Sequence, residues 1–415
     1  MSVRLPDRFP SDGRLRICEL AVSTHSSSTI AMATSPIRPR VLLVTRSGAA
    51  ATGGGLGHSV STQYHADALD LAERLDHVVP LPDGGRLSRK VRTFMRLRHG
   101  HLAGVHHGVI STFEHELLRV QPHAVFFDSA VFGPLATVAK RHGCKVFTQT
   151  HNCEYDYYAG VAALRGGLAG ELLKAAYNAE REAITASDVV FALSAYDRQR
   201  LSQLYDGVKD CRVVNPHVHR LAAKLDRNFT ASVPPLERKR SPPVAVFLGS
   251  AGHQNQLACE LLLRHWSGDQ ARLQIVGKVG DSLRETRRAS ALDAHGIEFL
   301  GFVDSLEELL PTATAMVCPM YLGSGIKVKI VEALANACPV LASAEAMHGF
   351  EFARDSGWIR ECALNGMEEG TVSLRYADLS IERLSADVRR VANLQAALLR
   401  ETYAAHGLAT TGERP

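Results

Sequence analysis

Two glycines, two lysines and a glutamate fall between Gly323 and Glu332, and the surrounding run GSGIKVKIVEALANACPVL (Gly323 to Leu341) reads as a tight turn, an amphipathic helix and a short apolar strand. Such a set can hold a diphosphate. Gly323 and Gly325 let the backbone turn sharply, and the first N–H groups of the helix point out of its start with partial positive charge. Lys327 and Lys329 add formal charge at the same place. Helical spacing predicts that Gly325, Lys329 and Glu332 share one face, with the carboxylate roughly 10 Å down the helix from the anion, in reach of ribose hydroxyls. The competing reading is a plain βα unit whose glycines only make the turn and whose lysines are solvated.

Three further segments carry candidate chemistry. The strand KVFTQ runs into Thr150, His151, Asn152 and Glu154, which puts an imidazole and a carboxylate at the carboxyl end of a strand, either facing a ligand or hydrogen-bonded within the loop. The first strand is followed by TRSGAAATGGGLGHS, where Gly54 and Gly55 let the backbone approach a ligand, or simply form a flexible loop; the spacing is not GxGxxG. Residues 86–98 (RLSRKVRTFMRLR) interleave six cations with apolar residues, a basic amphipathic helix suited to an anionic membrane or to a solvated face.

Other chemistries lack their parts. His115 and Glu116 begin an HExxH pattern, but Arg119 stands where the second histidine is needed, and no DxD pair, GxSxG elbow or P-loop occurs. The histidines at 99, 101, 106 and 107 have no ligand spacing, so no metal site is expected. The eight cysteines form no CxxC pair and mostly lie in apolar runs, as small core residues do in a reducing compartment. A net charge of +4 suits small anionic ligands and falls short of a nucleic-acid binder. No apolar run is long enough to cross a bilayer. The expected location is cytoplasmic, at the inner face of the membrane if the basic helix meets lipid.

Positioning these residues falls to alternating short β-branched runs and helical-period segments, the pattern of parallel sheets covered by helices on both faces. Strands are expected near 41–45, 124–128, 145–149, 188–193 and 212–214, then near 244–248, 272–276, 297–300, 315–318 and 339–342. Between the series, NFTASVPPLERKRSPP loses periodicity, as a boundary does. Ser194 and Asp197 read as a capping box. The expected organisation is a disordered extension over 1–38, an N-terminal Rossmann-like domain over 39–235, a C-terminal Rossmann-like domain over 236–385, and a terminal helix and tail over 386–415. Two doubly wound α/β domains then face each other across a cleft.

The stretches IEFLGFVDSLEELL and CPMYLGSGIKVKIVEALANACPVLASAEAMHGF resemble the carboxyl-domain core of family 4 glycosyltransferases, which have the GT-B fold. VFLGSAGHQNQ, LQIVGKV, THNCEYDYY and ASDVVFALSAYDRQRLSQLY resemble the family in the same order. The resemblance implies a retaining enzyme that moves a hexose from a UDP- or GDP-sugar to a glycan or lipid-linked acceptor, without a metal cofactor. It implies that Glu332 binds the nucleotide ribose, that Gly323, Ser324, Gly325, Lys327 and Lys329 lie around the diphosphate and donor sugar, that Gly249 and Ser250 meet the phosphates from the other side, and that His151 lies near the transferred sugar. The chain departs from the family where Ser324 replaces a common glutamate, where GSAGHQN lacks a basic pair, and at Asn215-Pro216-His217. An epimerase or hydrolase of the same fold, or a non-catalytic nucleotide-sugar-binding partner, are the alternatives.

Overall fold

In the computed structural model, residues 39–46, 56–69, 75–79, 96–99, 101–102, 104–162, 169–228, 242–286, 296–375 and 378–408 are described. The expected extension over 1–38, Gly54 and Gly55, and residues 86–95 of the basic segment lie outside them.

The first six strands are β1 (Val41–Arg46), β2 (Leu75–Val79), β3 (Ala124–Phe127), β4 (Lys145–Gln149), β5 (Val189–Ala192) and β6 (Cys211–Val213). They form one parallel sheet in the order β2-β1-β3-β4-β5-β6. The remaining six are β7 (Val244–Leu248), β8 (Arg272–Val276), β9 (Ile297–Gly301), β10 (Ala315–Cys318), β11 (Val340–Ala342) and β12 (Ile359–Glu361). They form a second parallel sheet in the order β12-β11-β10-β7-β8-β9. Both are doubly wound, and the sequence reading omits only β2 and β12, one outer strand of each.

Parallel strands buried on both faces need apolar residues at every position. In β1 the period of two sends Leu42 and Val44 into one core with Val125, Phe127 and Val146, and Val41 and Leu43 into another with Phe126, Phe147 and Phe191. The second sheet has a single larger core around Val246, Phe247, Ile275, Val317 and Leu341.

Two helices join the lobes, which belong to one compact unit from Arg38 onward. Pro216–Asn228 follows β6 of the first sheet, yet its Val218, Leu221 and Leu225 lie in the second sheet's core. Ile381–Ala405 buries Leu384, Val388 and Ala392 in that same core, then Leu399 and Tyr403 in the first sheet's core. At 25 residues it is long enough, roughly 37 Å, to serve both.

Candidate functional site

The carboxyl ends of the two sheets meet at the loop before the helix Val328–Ala335. That helix starts later than its sequence predicts. Gly323 and Gly325 sit at φ +100 and +73, left-handed values that an α-helix cannot include, so the helix opens at Val328 with Lys327 as its N-cap. Gly325 therefore lies off the face that Lys329 and Glu332 share.

Instead Gly325 is pressed against the first lobe. A Cβ there would stand 2.1 Å from His151 O and 2.6 Å from Asn152 Oδ1, so only glycine permits the approach. Its N–H donates to Asp197 Oδ1 (3.0 Å), and Ser324 Oγ donates to Cys153 O (2.9 Å). The Asn152 amide, turned to satisfy its neighbours, donates to Ser324 O (3.2 Å) and His151 O (3.0 Å). Asp197 and Ser194 do form the expected cap, with Asp197 N donating to Ser194 Oγ (3.0 Å). The second oxygen of Asp197, free of the cap, holds the opposite lobe, a use the local motif does not reveal.

The two lysines part company. Lys327 is 8% exposed and folds back to donate to Gly325 O (2.8 Å) and Ser324 O (3.2 Å), bracing the loop from behind. Lys329 donates to Asn255 Oδ1 (2.8 Å) and lies 4.6 Å above the Phe247 ring. Burial holds both ammonium groups below the usual lysine range.

Asn255 lies in the first turn of the helix His253–His265, which follows β7. Its Nδ2 donates to Ser250 Oγ (3.0 Å), so Ser250, Asn255 and Lys329 form one chain joining that turn to the second helix. Gly249 is closed in by Val279, whose Cγ1 would stand 2.7 Å from an added Cβ. The helix His253–His265 starts here with Gly252 as N-cap and no side-chain cap, as the helix at Val328 also does. Two uncapped helix starts and an ammonium group thus converge. Two buried nitrogens on the same turn, His253 Nε2 and Gln254 Nε2, find no hydrogen-bond partner among the described residues, and the Gln254 amide lies against Gly323. A buried donor left so costs about 1–3 kcal/mol, and an anion would satisfy it.

Glu332 is 15% exposed at its side chain and ion-paired with Arg220 Nη2 (2.9 Å) and Lys224 Nζ (2.9 Å), four residues apart on the helix Pro216–Asn228. Each carboxylate oxygen has a second lone pair, so two cations do not exhaust its capacity to accept. These two cations, with His253 and Gln254, were not singled out by the sequence. The i, i+4 spacing of Arg220 and Lys224 was visible there, but their partner was not.

On the first lobe, His151 Nε2 donates to the fully buried Asp128 Oδ1 (2.8 Å), which fixes the ring at the end of β4. Glu154 is buried beside it and accepts from Ser129 Oγ (3.4 Å), while its N–H donates to Glu180 Oε1 (2.8 Å). Among the described residues no group of three or more His, Cys, Asp or Glu could hold a metal ion, no helix is long and apolar enough to cross a membrane, and the seven cysteines are free thiols.

Residues 242–362 match the family model described as glycosyl transferases group 1. No curated protein matches the chain. Among solved structures it is similar to Alr3699/HepE from Anabaena in complex with UDP-glucose (TM-score 0.56, 12% identity, covering 88% of this chain and 98% of that one). It is also similar to a glycosyltransferase from Rickettsia africae ESF-5 (TM-score 0.55, 13% identity, 91% and 100%) and to the apo lipopolysaccharide outer core galactosyltransferase WaaB (TM-score 0.54, 15% identity, 88% and 99%). With a group 1 glycosyl transferase domain over residues 242–362 and two facing Rossmann-like lobes of GT-B type, the protein is a glycosyltransferase.

Proposed function

We propose that the enzyme moves a hexose from a UDP- or GDP-sugar to the hydroxyl of a glycan or lipid-linked acceptor, with retention at the anomeric carbon and without a metal. The observation that carries this reading is the convergence of two uncapped helix starts with Lys329 and Asn255, beside the loop whose Gly325 is pressed against the backbone of His151. The UDP-glucose held by the Anabaena protein of the same fold supports a nucleotide-diphosphate donor.

Departure of the nucleotide is the difficult step. As the glycosidic bond breaks, negative charge grows on the β-phosphate, and the Val328 and Lys329 amides with the Lys329 ammonium oppose it. Gly249 and Ser250 line the phosphates from the β7 side, and Gly323 with Ser324 bounds the donor sugar. Glu332, ion-paired with Arg220 and Lys224, accepts from the ribose hydroxyls. Lys327 acts through the loop it braces. His151, oriented by Asp128, supports the polarised sugar, and the leaving phosphate takes the acceptor's proton on the same face. Gly54, Gly55, Asn152 and Glu154 form the acceptor side of this reading.

Incubation with a panel of nucleotide sugars, with and without a lipid-linked acceptor extract, tests the proposal by nucleotide release. Acceptor-dependent release is expected. Conversion that ignores the acceptor, or binding with no turnover, would overturn it.

A further inference from the structure

A cavity of about 640 Å³ opens beside the loop on the side of Tyr321 to Ser324. Its size falls within the range of small-molecule sites. One wall is the helix Glu154–Ala162, which presents Asp156, Ala159 and Gly160, positions i, i+3 and i+4 of one face. The other is the helix Ala195–Leu204. That helix buries only Asp197 and Leu201, and turns the row Tyr196, Gln199, Arg200 and Gln203 toward the cavity. Among the described residues none of these side chains belongs to a hydrophobic core; Asp156 and Arg200 pair with each other across the cavity, and Gln199 is left facing it.

The lining has the chemistry of a sugar site. Tyr196 is 42% exposed and Leu322 41%, and with Tyr321 they offer flat apolar surface for the C–H face of a pyranose. The Tyr196 ring is held by stacking on His348 across the lobes (3.9 Å, 11°), so it is fixed before a ligand arrives. Gln199 and Gln203 can both donate and accept, as hydroxyl groups require.

Charge narrows the ligand further. Arg200 is engaged by Asp156 through two bonds (2.7 and 2.9 Å), and Glu345 adds a second carboxylate to the lining. One committed cation against two carboxylates repels phosphates, which rules against a second nucleotide or an anionic headgroup and leaves a neutral polyol. Gly323 and Ser324 form the near wall, and the chain continues from them into the phosphate end at Lys329.

We infer that this cavity binds a neutral sugar unit of the acceptor, an inference that rests on the transferase reading above. The test uses the full chain. Methyl glycosides of glucose, galactose, mannose and N-acetylglucosamine are titrated by saturation-transfer NMR, and UDP is titrated separately by calorimetry. Gly160→Tyr fills the cavity, since nothing among the described residues lies within 4 Å of a Cβ built there, and Gln199→Ala removes one polar contact.

At least one glycoside should bind the wild-type chain, about tenfold or more weakly in Gly160→Tyr and severalfold more weakly in Gln199→Ala. Wild-type chain that binds UDP but no glycoside would overturn the cavity inference and leave the donor reading standing. Glycoside binding that is equal in wild type and both variants would overturn it too. Failure of the wild-type chain to bind UDP would overturn the donor reading, and the acceptor role with it.

Discussion

Where the second sheet ends, its rim presents donors, namely the amides of two helix starts and the ammonium of Lys329; where the first sheet ends, its rim presents acceptors, with Asp128, Asp197 and Glu154 buried close behind it. Both sheets are parallel and doubly wound but differ in strand order, β2-β1-β3-β4-β5-β6 against β12-β11-β10-β7-β8-β9, and the groups at each rim come from the turns and helix starts after the strands. On the proposed reading the second rim is the one that draws a diphosphate. The first rim is left, on that reading, to orient a sugar, and its Asp197 already accepts from the Gly325 amide. The same contrast recurs within two residues, where Lys327 turns back into the loop and Lys329 turns to the β7 turn.

The largest effect is expected where the rims touch. Gly325→Ala forces a side chain into a left-handed position, about 1–2 kcal/mol on its own, and drives a methyl group against His151 O. Turnover should fall by at least two decades, roughly 2.7 kcal/mol, and a variant with wild-type turnover would show that contact between the rims is dispensable. The helix Pro216–Asn228 supplies the next effect. Arg220→Met or Lys224→Met should raise the donor KM by about threefold to tenfold with kcat little changed, since the proposed ribose contact of Glu332 would be uniform binding. A change confined to kcat would remove Glu332 from the ribose.

The smallest effect on turnover belongs to the buried acid behind the acceptor rim. Burial, and then the Glu154 charge, pushes the Glu180 carboxyl up to about 7 from 4.5, although Tyr205 OH (2.6 Å) and two backbone N–H groups donate to it. The folded chain therefore holds this proton more tightly than the unfolded chain does. Its contribution to stability is complete below about pH 4.5 and is lost as the pH rises through 7. Melting curves of Glu180→Gln should show a flatter decline than wild type between pH 5 and about 8. An unchanged slope would mean that Glu180 is ionised throughout.

Much of this arrangement is legible in the sequence because its signals are local. Ten strands follow from β-branched runs, and the glycine-lysine loop announces its own turn. The outer strands β2 and β12 are harder to see: LDHVV carries an aspartate and a histidine, and the three-residue IRE has one apolar residue. The helix start was displaced because glycine permits positive φ without revealing whether it is used, and at Gly325 the opposite lobe requires it. Long-range pairing is the other gap. Arg220 and Lys224 lie more than a hundred residues before Glu332, and nothing in an amphipathic pattern says which lobe the helix will join. Asp197 looked complete as a cap, so its second oxygen gave no signal.

Nucleotide release by Lys329→Ala, set beside Lys327→Ala, tests the division between the rims most directly. A charge-assisted hydrogen bond of roughly 1.5–3 kcal/mol implies a loss of about one to two decades of rate for Lys329→Ala with its melting temperature close to wild type. Lys327→Ala should instead lower the melting temperature, because it strips the brace from Ser324 and Gly325. Wild-type turnover in Lys329→Ala, or in the double variant, would contradict the placement of the diphosphate on the second rim.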